Sequence, residues 1–204
     1  YSNLSWNFGD GSTSAATNPT HNYITGGVFT VSLTASGPGG TDTETKNAYI
    51  TVYSPVVASF TSTPTLGIMP LTVSFSNTST GSYSHLNWDF GDGGTSTASN
   101  PTHVYTSAGT YTVVLIASGP GGTSQATATI DVYVPALASF SASPTSGIAP
   151  LNVTFTNTST GNFSSSFWDF GDGNTSSEIN PVHNYSTSGV FTVSLTVTGL
   201  GGTD

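Results

Sequence analysis

The residues best placed to do chemistry recur as a block. Trp-Asp-Phe-Gly-Asp-Gly stands at 88–93 and again at 168–173, and a near copy with Asn7 in place of the first acid stands at 6–11. Two carboxylates three positions apart beside a glycine turn suggest calcium ligation, with Asp89, Asp92, Asp169 and Asp172 as the candidates. The neighbouring Trp suggests a platform for a sugar. A structural reading competes and is preferred. Residues two apart in a strand point to the same side, so Trp88 and Phe90 share a face suited to the core, and Asp89 faces the other way. Gly91-Asp92-Gly93 then forms a turn in which the carboxylate accepts backbone N–H groups. A calcium loop needs about six to eight oxygen ligands, more than this turn offers, and Asn7 lacks the charge. Trp6, Trp88, Trp168 and Asp10 are therefore expected to be structural.

A second block, Asn-Pro-x-His-x-Tyr, places His21, His103 and His183 two residues before Tyr23, Tyr105 and Tyr185. A metal site needs several ligands that converge, whereas these histidines fall one to a repeat. The expected use is a Tyr hydroxyl that ties a loop back to the body of the repeat, with the His packed nearby. His85 is unrepeated and is expected to be exposed. No Gly-x-Ser-x-Gly elbow or His-Glu-x-x-His helix occurs. The pair Asp169 and Asp172 could imitate a glycosidase dyad, but it lies in one tight turn and is copied from repeat to repeat. Gly119-Pro120-Gly121-Gly122 is followed by neither Lys nor helix, as a phosphate loop would be. No catalytic residue and no cofactor are expected.

Composition narrows the partners. Only 5% of the 204 residues are charged, Lys46 is the sole cation, and the formal charge is −9. Nucleic-acid binding requires several cations to displace counterions from phosphates, and attraction to anionic membranes has the same requirement. Neither partner is expected, nor is membrane insertion. Without cysteine there are no disulfides, thiolate metal sites or thiol nucleophile. A charge-poor surface lacks the lysines that commonly protect sheet edges, which leaves a coat of glycans or burial in an assembly as the remedies. Asn-x-Ser/Thr triplets at Asn3, Asn77, Asn152, Asn157, Asn162, Asn174 and Asn184 favour the glycans.

These blocks must be positioned by strands. The Trp motifs are 82 and 80 residues apart, and the His-Tyr motifs keep the same register, so the chain is a tandem array. Residues 1–55 read as a first repeat without its front third, 56–135 as a complete one, and 136–204 as a third without its final strand. Short runs rich in Val, Ile, Phe, Tyr and Thr alternate with polar residues between Gly, Pro, Asn and Asp clusters, a pattern of strands rather than helices. In the complete repeat, 57–60, 71–76, 85–90, 110–118 and 123–133 are the expected strands. They imply an antiparallel β-sandwich. The joints around Pro55 and Pro135 contain no Gly/Ser-rich linker, which predicts a stiff rod that advances about 30–40 Å per repeat.

Taken together, Trp-Asp-Phe-Gly-Asp-Gly, Asn-Pro-Thr-His-Val-Tyr and Gly109-Thr-Tyr-Thr-Val-Val-Leu resemble the PKD domain family, the polycystic-kidney-disease repeat, three times over. The resemblance implies immunoglobulin-like sandwiches. It also implies the settings of that family: cell-surface and secreted proteins, archaeal and bacterial surface proteins among them, and accessory modules of secreted hydrolases. Family members are mostly structural or adhesive, and some PKD-like ones bind calcium. Positions 88–93 and 168–173 carry the motif over, and Asn7 departs from it. The expected function is thus an extracellular stalk, surface layer or filament, glycosylated and self-associating by covalent continuation or strand complementation. The alternative is a polysaccharide- or protein-binding module of a larger secreted protein. That alternative requires an exposed aromatic strip, for which Tyr1, Tyr83 and Phe163 are the candidates, with loop packing as their other reading.

Overall fold

The computed structural model of the chain describes residues 1–204 and is entirely β. The first repeat forms β1 (Asn3–Asn7), β2 (Thr13–Ser14), β3 (Gly27–Gly37) and β4 (Gly40–Val52), in the sheet order β2-β1-β3-β4. The middle repeat forms β5 (Phe60–Thr63), β6 (Leu66–Ile68), β7 (Leu71–Asn77), β8 (His85–Asp89), β9 (Thr95–Ser96), β10 (Thr102–Tyr105), β11 (Gly109–Gly119) and β12 (Gly122–Tyr133). Its two sheets are ordered β10-β7-β5 and β6-β12-β11-β8-β9. The third repeat forms β13 (Phe140–Ser143), β14 (Leu151–Asn157), β15 (Ser165–Asp169), β16 (Thr175–Ser176), β17 (Val182–Tyr185), β18 (Ser194–Gly199) and β19 (Gly202–Thr203), in sheets β13-β14-β17 and β16-β15-β18-β19. By compactness the chain divides into two units. One is Tyr1–Phe60 with Thr78–Asn87 and Leu115–Ala126, the other Thr61–Asn77 with Trp88–Val114 and Thr127–Asp204. No helix is long and apolar enough to cross a membrane.

Alternation along the strands explains the core. In β7, Leu71, Val73 and Phe75 are buried while Thr72, Ser74 and Ser76 face solvent. In β11, Val113, Leu115 and Ala117 are fully buried, and the half-buried Tyr111 precedes them on the same face. Trp88 and Trp168 are 0% exposed, and each packs on a Phe from the other sheet of its repeat: Phe75 of β7 to Trp88 at 5.6 Å and Phe155 of β14 to Trp168 at 5.5 Å between ring centroids. Around Trp168, the third repeat gathers Ala136, Val153, Phe155, Phe170, Tyr185, Leu195 and Val197 into one cluster.

The first strand of the middle repeat lies later than its sequence suggests. Val57 makes only an isolated bridge to Thr80, and continuous strand begins at Phe60. Between them the Ser59 N–H bonds the Ser79 hydroxyl rather than a backbone carbonyl, which interrupts the ladder. The third repeat does the same: Leu137 bridges Thr160, and the Ser139 N–H bonds the Ser159 hydroxyl. Three further strands are not among those expected from the sequence, and one of them, β9, is two residues long and pairs antiparallel with the end of β8. β6 is three residues long and pairs in parallel with the end of β12. β10 is formed by the His-Tyr motif itself.

The joints are hydrogen-bonded into the repeats that follow them. Ser54 donates its N–H to the Ser82 hydroxyl at 3.1 Å and accepts the Ser82 N–H at 3.0 Å, while the Val56 N–H reaches the Gly121 carbonyl at 3.1 Å. At the second joint, Val134 donates to Asn162 Oδ1 at 2.7 Å and accepts the Asn162 N–H at 3.2 Å. The Ala136 N–H reaches the Gly201 carbonyl at 2.8 Å. Pro55 and Pro135 thus lie in segments whose flanking backbone groups are already satisfied.

Candidate functional site

The two repeated motifs meet in one constellation. β8 ends at Asp89, and Asp89 Oδ1 accepts the Gly91 N–H at 2.9 Å, turning the chain back. Asp92 Oδ1 accepts the Gly94 N–H at 2.9 Å, and Asp92 Oδ2 bonds His103 Nε2 at 2.7 Å. The His103 ring lies flat on Phe90, with centroids 4.2 Å apart, and its edge meets Tyr105 at 4.8 Å. Tyr105, from β10, donates its hydroxyl to the Phe90 carbonyl at 3.0 Å. The Trp88 Nε1–H donates to the Ala98 carbonyl at 2.9 Å. Each of the motif's Asp, His, Tyr and Trp side chains makes a hydrogen bond within the turn and the loop beneath it.

The same lock occurs three times. His21 bonds Asp10 at 2.7 Å and His183 bonds Asp172 at 2.8 Å; Tyr23 and Tyr185 reach the Phe8 and Phe170 carbonyls, each at 3.0 Å. Asn7 Oδ1 accepts the Gly9 N–H at 2.9 Å and Asp169 Oδ1 accepts the Gly171 N–H at 2.9 Å, so the amide does the work of the acid. The sequence reading assigned the turn to Asp92 and the packing to His103 but missed the bond that joins them. A signal was present: the His follows the second Asp by 11 residues in all three repeats.

The electrostatics follow from these contacts. At Asp92 and Asp172, burial pushes the carboxyl upward, but the hydrogen bonds from His103 and the Gly94 N–H, or from His183 and the Asn174 N–H, outweigh it and hold both below the ordinary carboxylate value. The His21 hydrogen bond, aided by the Ser12 N–H, lowers Asp10. Tyr23, Tyr105 and Tyr185 are pushed up, first by burial and then by the negative charge of Asp10, Asp92 or Asp172. A phenol held in its protonated form is a hydrogen-bond donor, which is the role the geometry gives it.

The calcium candidates Asp89, Asp92, Asp169 and Asp172 are placed as turn caps and histidine partners. No group of three or more His, Cys, Asp or Glu side chains converges anywhere in the chain. The aromatic candidates separate. Phe163 packs against the core of the third repeat and Tyr83 is half-buried, which leaves Tyr1, at 82% exposed, as the open ring of the three. His85 is exposed and bonds the Ser84 hydroxyl at 2.8 Å.

The sequon asparagines also separate. Asn3, Asn152, Asn162, Asn174 and Asn184 are exposed, whereas Asn77 and Asn157 are half-buried. Asn157 Nδ2, the atom a glycan would need, is buried and without a hydrogen-bond partner, while its Oδ1 accepts the Ser159 N–H at 2.9 Å. In the third repeat a cavity of about 490 Å³ opens beside Leu151, Phe155, Tyr185, Phe191 and Val193. Its lining is apolar side chains and small loop residues without an acid or a His.

Comparison with known proteins agrees with this construction. A family model described as PKD domain matches residues 1–52, 54–134 and 135–204. Among solved structures, the PKD1 domain of the Vibrio cholerae metalloprotease PrtV is 36% identical over 38% of this chain and 96% of that one, with a TM-score of 0.34. The PKD1 domain of Vibrio anguillarum Epp is 34% identical over 41% of this chain and 100% of that one, with a TM-score of 0.36. The I-band fragment I67–I69 of titin, at 13% identity, covers 98% of this chain and 84% of its own with a TM-score of 0.63, a likeness of immunoglobulin-like fold.

Proposed function

The chain belongs to the PKD domain family, and from that membership we propose that it is a non-catalytic structural segment of an extracellular protein, one stretch of a stalk, surface layer or filament that self-associates and carries glycans. One observation carries this reading. The Asp-His-Tyr-Trp constellation repeated in all three repeats is spent on itself, with each of these side chains bonded within the lock. Copying such a lock multiplies a scaffold, whereas a catalytic centre needs groups left free to meet a substrate. The repeat boundaries near Pro55 and Pro135 belong to the same proposal, each repeat serving as one building unit. The near absence of charge supports it further, since such a surface favours lateral packing over solitude.

A second reading has its own observation. On the first repeat, Val28 pairs with Thr51, and Tyr49 and Tyr53 flank Thr51 on β4 and just beyond it, exposed at 58% and 53%. Lys46 Nζ lies 4.9 Å from the Tyr49 ring centroid. Open tyrosines of this kind suit a polysaccharide or protein partner. Electron microscopy of native material, with saccharide-binding measurements on the isolated chain, separates the two readings. Regular polymers without saccharide binding are the expected result. Dispersed monomers that bind polysaccharide, with binding lost in Tyr49→Ala, would overturn the structural reading in favour of the second.

A further inference from the structure

The sequons divide into two kinds by what their atoms already do. In Asn77-Thr78-Ser79 and Asn157-Thr158-Ser159 the hydroxyl two residues after the Asn is part of the fold: the Ser59 and Ser139 N–H groups donate to Ser79 Oγ and Ser159 Oγ at 3.1 and 3.0 Å. Those hydroxyls donate in turn to the Ser59 and Ser139 carbonyls at 3.3 and 3.2 Å. The two asparagines also accept their places from neighbouring loops, since their N–H groups bond Asn100 and Asn180 Oδ1 at 2.8 Å each. These triplets are strand fasteners that happen to spell a sequon.

Asn152-Val153-Thr154 is of the other kind, and among the seven it alone carries Thr in the third position. Asn152 and Thr154 both lie on the exposed face of β14, the central strand of its sheet, with Val153 turned into the core. Asn184, directly opposite on β17, donates its Nδ2–H to Asn152 Oδ1 at 2.7 Å. That bond holds the Asn152 carboxamide by its oxygen on an exposed side chain. It also engages one N–H of Asn184, itself a sequon asparagine. Beside the pair, Thr154 faces Val182, an apolar side chain 64% exposed and without a protein cover.

We propose that Asn152 is a glycan attachment site of the third repeat, that Asn184 positions it rather than competing for the sugar, and that the glycan lies over the outer face of β14 and β17 across Val182. In the transfer, the Asn152 amide nitrogen forms a bond to the anomeric carbon of a lipid-diphosphate-linked oligosaccharide. The bond from that carbon to the phosphate oxygen breaks, the lipid diphosphate leaves with the electron pair, and the transferase takes the amide proton. Asn157 carries no sugar in folded protein, because a glycan there would have to pull Nδ2 out of the interior. This inference rests on the extracellular reading.

The test is glycopeptide mass spectrometry of the whole chain secreted in folded form from a host with an oligosaccharyltransferase. Asn152→Gln and, separately, Thr154→Ala are each expected to remove one glycan from the intact mass, while wild-type peptides around Asn157 run unmodified. Asn184→Gln is expected to keep the Asn152 glycan at lower occupancy. A chain glycosylated elsewhere but bare at Asn152, or one modified at Asn157, overturns the assignment. A chain bare at every sequon overturns it as well. Failure of the structural reading shows separately, as monomers in the microscope from material whose Asn152 is nonetheless glycosylated.

Discussion

Tyr→Phe at the three equivalent positions isolates what one hydroxyl contributes. Tyr23, Tyr105 and Tyr185 make the same bond, 3.0 Å to the carbonyl of the motif Phe, but Tyr105 is 0% exposed, Tyr185 is 7% exposed, and Tyr23 is only half-buried. Phe would keep the packing, because the Tyr105 ring stacks on Tyr111 at 4.5 Å and the Tyr185 ring on Phe191 at 4.4 Å without using the hydroxyl. The loss is then the bond together with the stranding of a buried acceptor. That should come to about 2–3 kcal/mol at Tyr105, where water cannot replace the hydroxyl, about 1.5–2 at Tyr185 and about 0.5–1 at Tyr23, where it can. A tandem array need not unfold in one step, so a single melting temperature is the wrong readout. Hydrogen exchange resolved by peptide reads each repeat separately and reports the local free energy of opening. Equal losses at the three sites, or the greatest loss at Tyr23, would refute the argument that burial sets the worth of this bond.

Asp89→Asn is expected to leave stability within about 0.5 kcal/mol, since Asn7 already makes the same turn bond, whereas Asp92→Asn, which weakens a partly exposed pair with His103, should cost ~0.5–1 kcal/mol in the same exchange measurement. Gly91 and Gly93 form a matched pair: both have φ near +90°, at +82° and +92°, but a Cβ on Gly91 would stand 2.6 Å from the Thr112 carbonyl oxygen and one on Gly93 would meet nothing within 4 Å. Gly93→Ala should cost about 1–2 kcal/mol of backbone strain, and Gly91→Ala clearly more, by denaturation of the two variants side by side. Because Asp10, Asp92 and Asp172 are depressed in the folded state, their contribution is present above the ordinary value of 3.8 and is lost as the pH falls through the lower folded values. NMR titration of the carboxyls should show this, with His103→Gln moving Asp92 upward. At the alkaline end the raised tyrosines predict stability that is level up to about pH 10, the ordinary phenol value, and falls above it, because the unfolded chain releases the proton first. Level acid and alkaline limbs in the free energy of denaturant unfolding across a pH series would contradict both.

Much of this protein is legible without coordinates, for reasons of geometry. Period-two alternation must place Val113 and Leu115 on one side of a strand, and Trp88 with Phe90 on one side of another, whatever surrounds them. A motif copied at intervals of 82 and 80 residues must be an element of construction, and the PKD likeness, resting on several spaced motifs at once, extends over all three copies. Glycine on both sides of Asp92 requires a turn. What sequence order could not supply is which polar groups find one another across a loop. Asp92 and His103 are 11 residues apart and meet only because β10, in the other sheet, brings its side chains to the turn that follows β8; Asn152 and Asn184, 32 residues apart, meet only because β14 and β17 pair in one register. Three-residue triplets are local and say nothing of burial, so Asn152 and Asn157 read alike until the sheet turns one side chain to solvent and closes the other in. The strands, turns and repeats follow from neighbours along the chain, whereas the lock, the fasteners and the choice among sequons follow from neighbours in space.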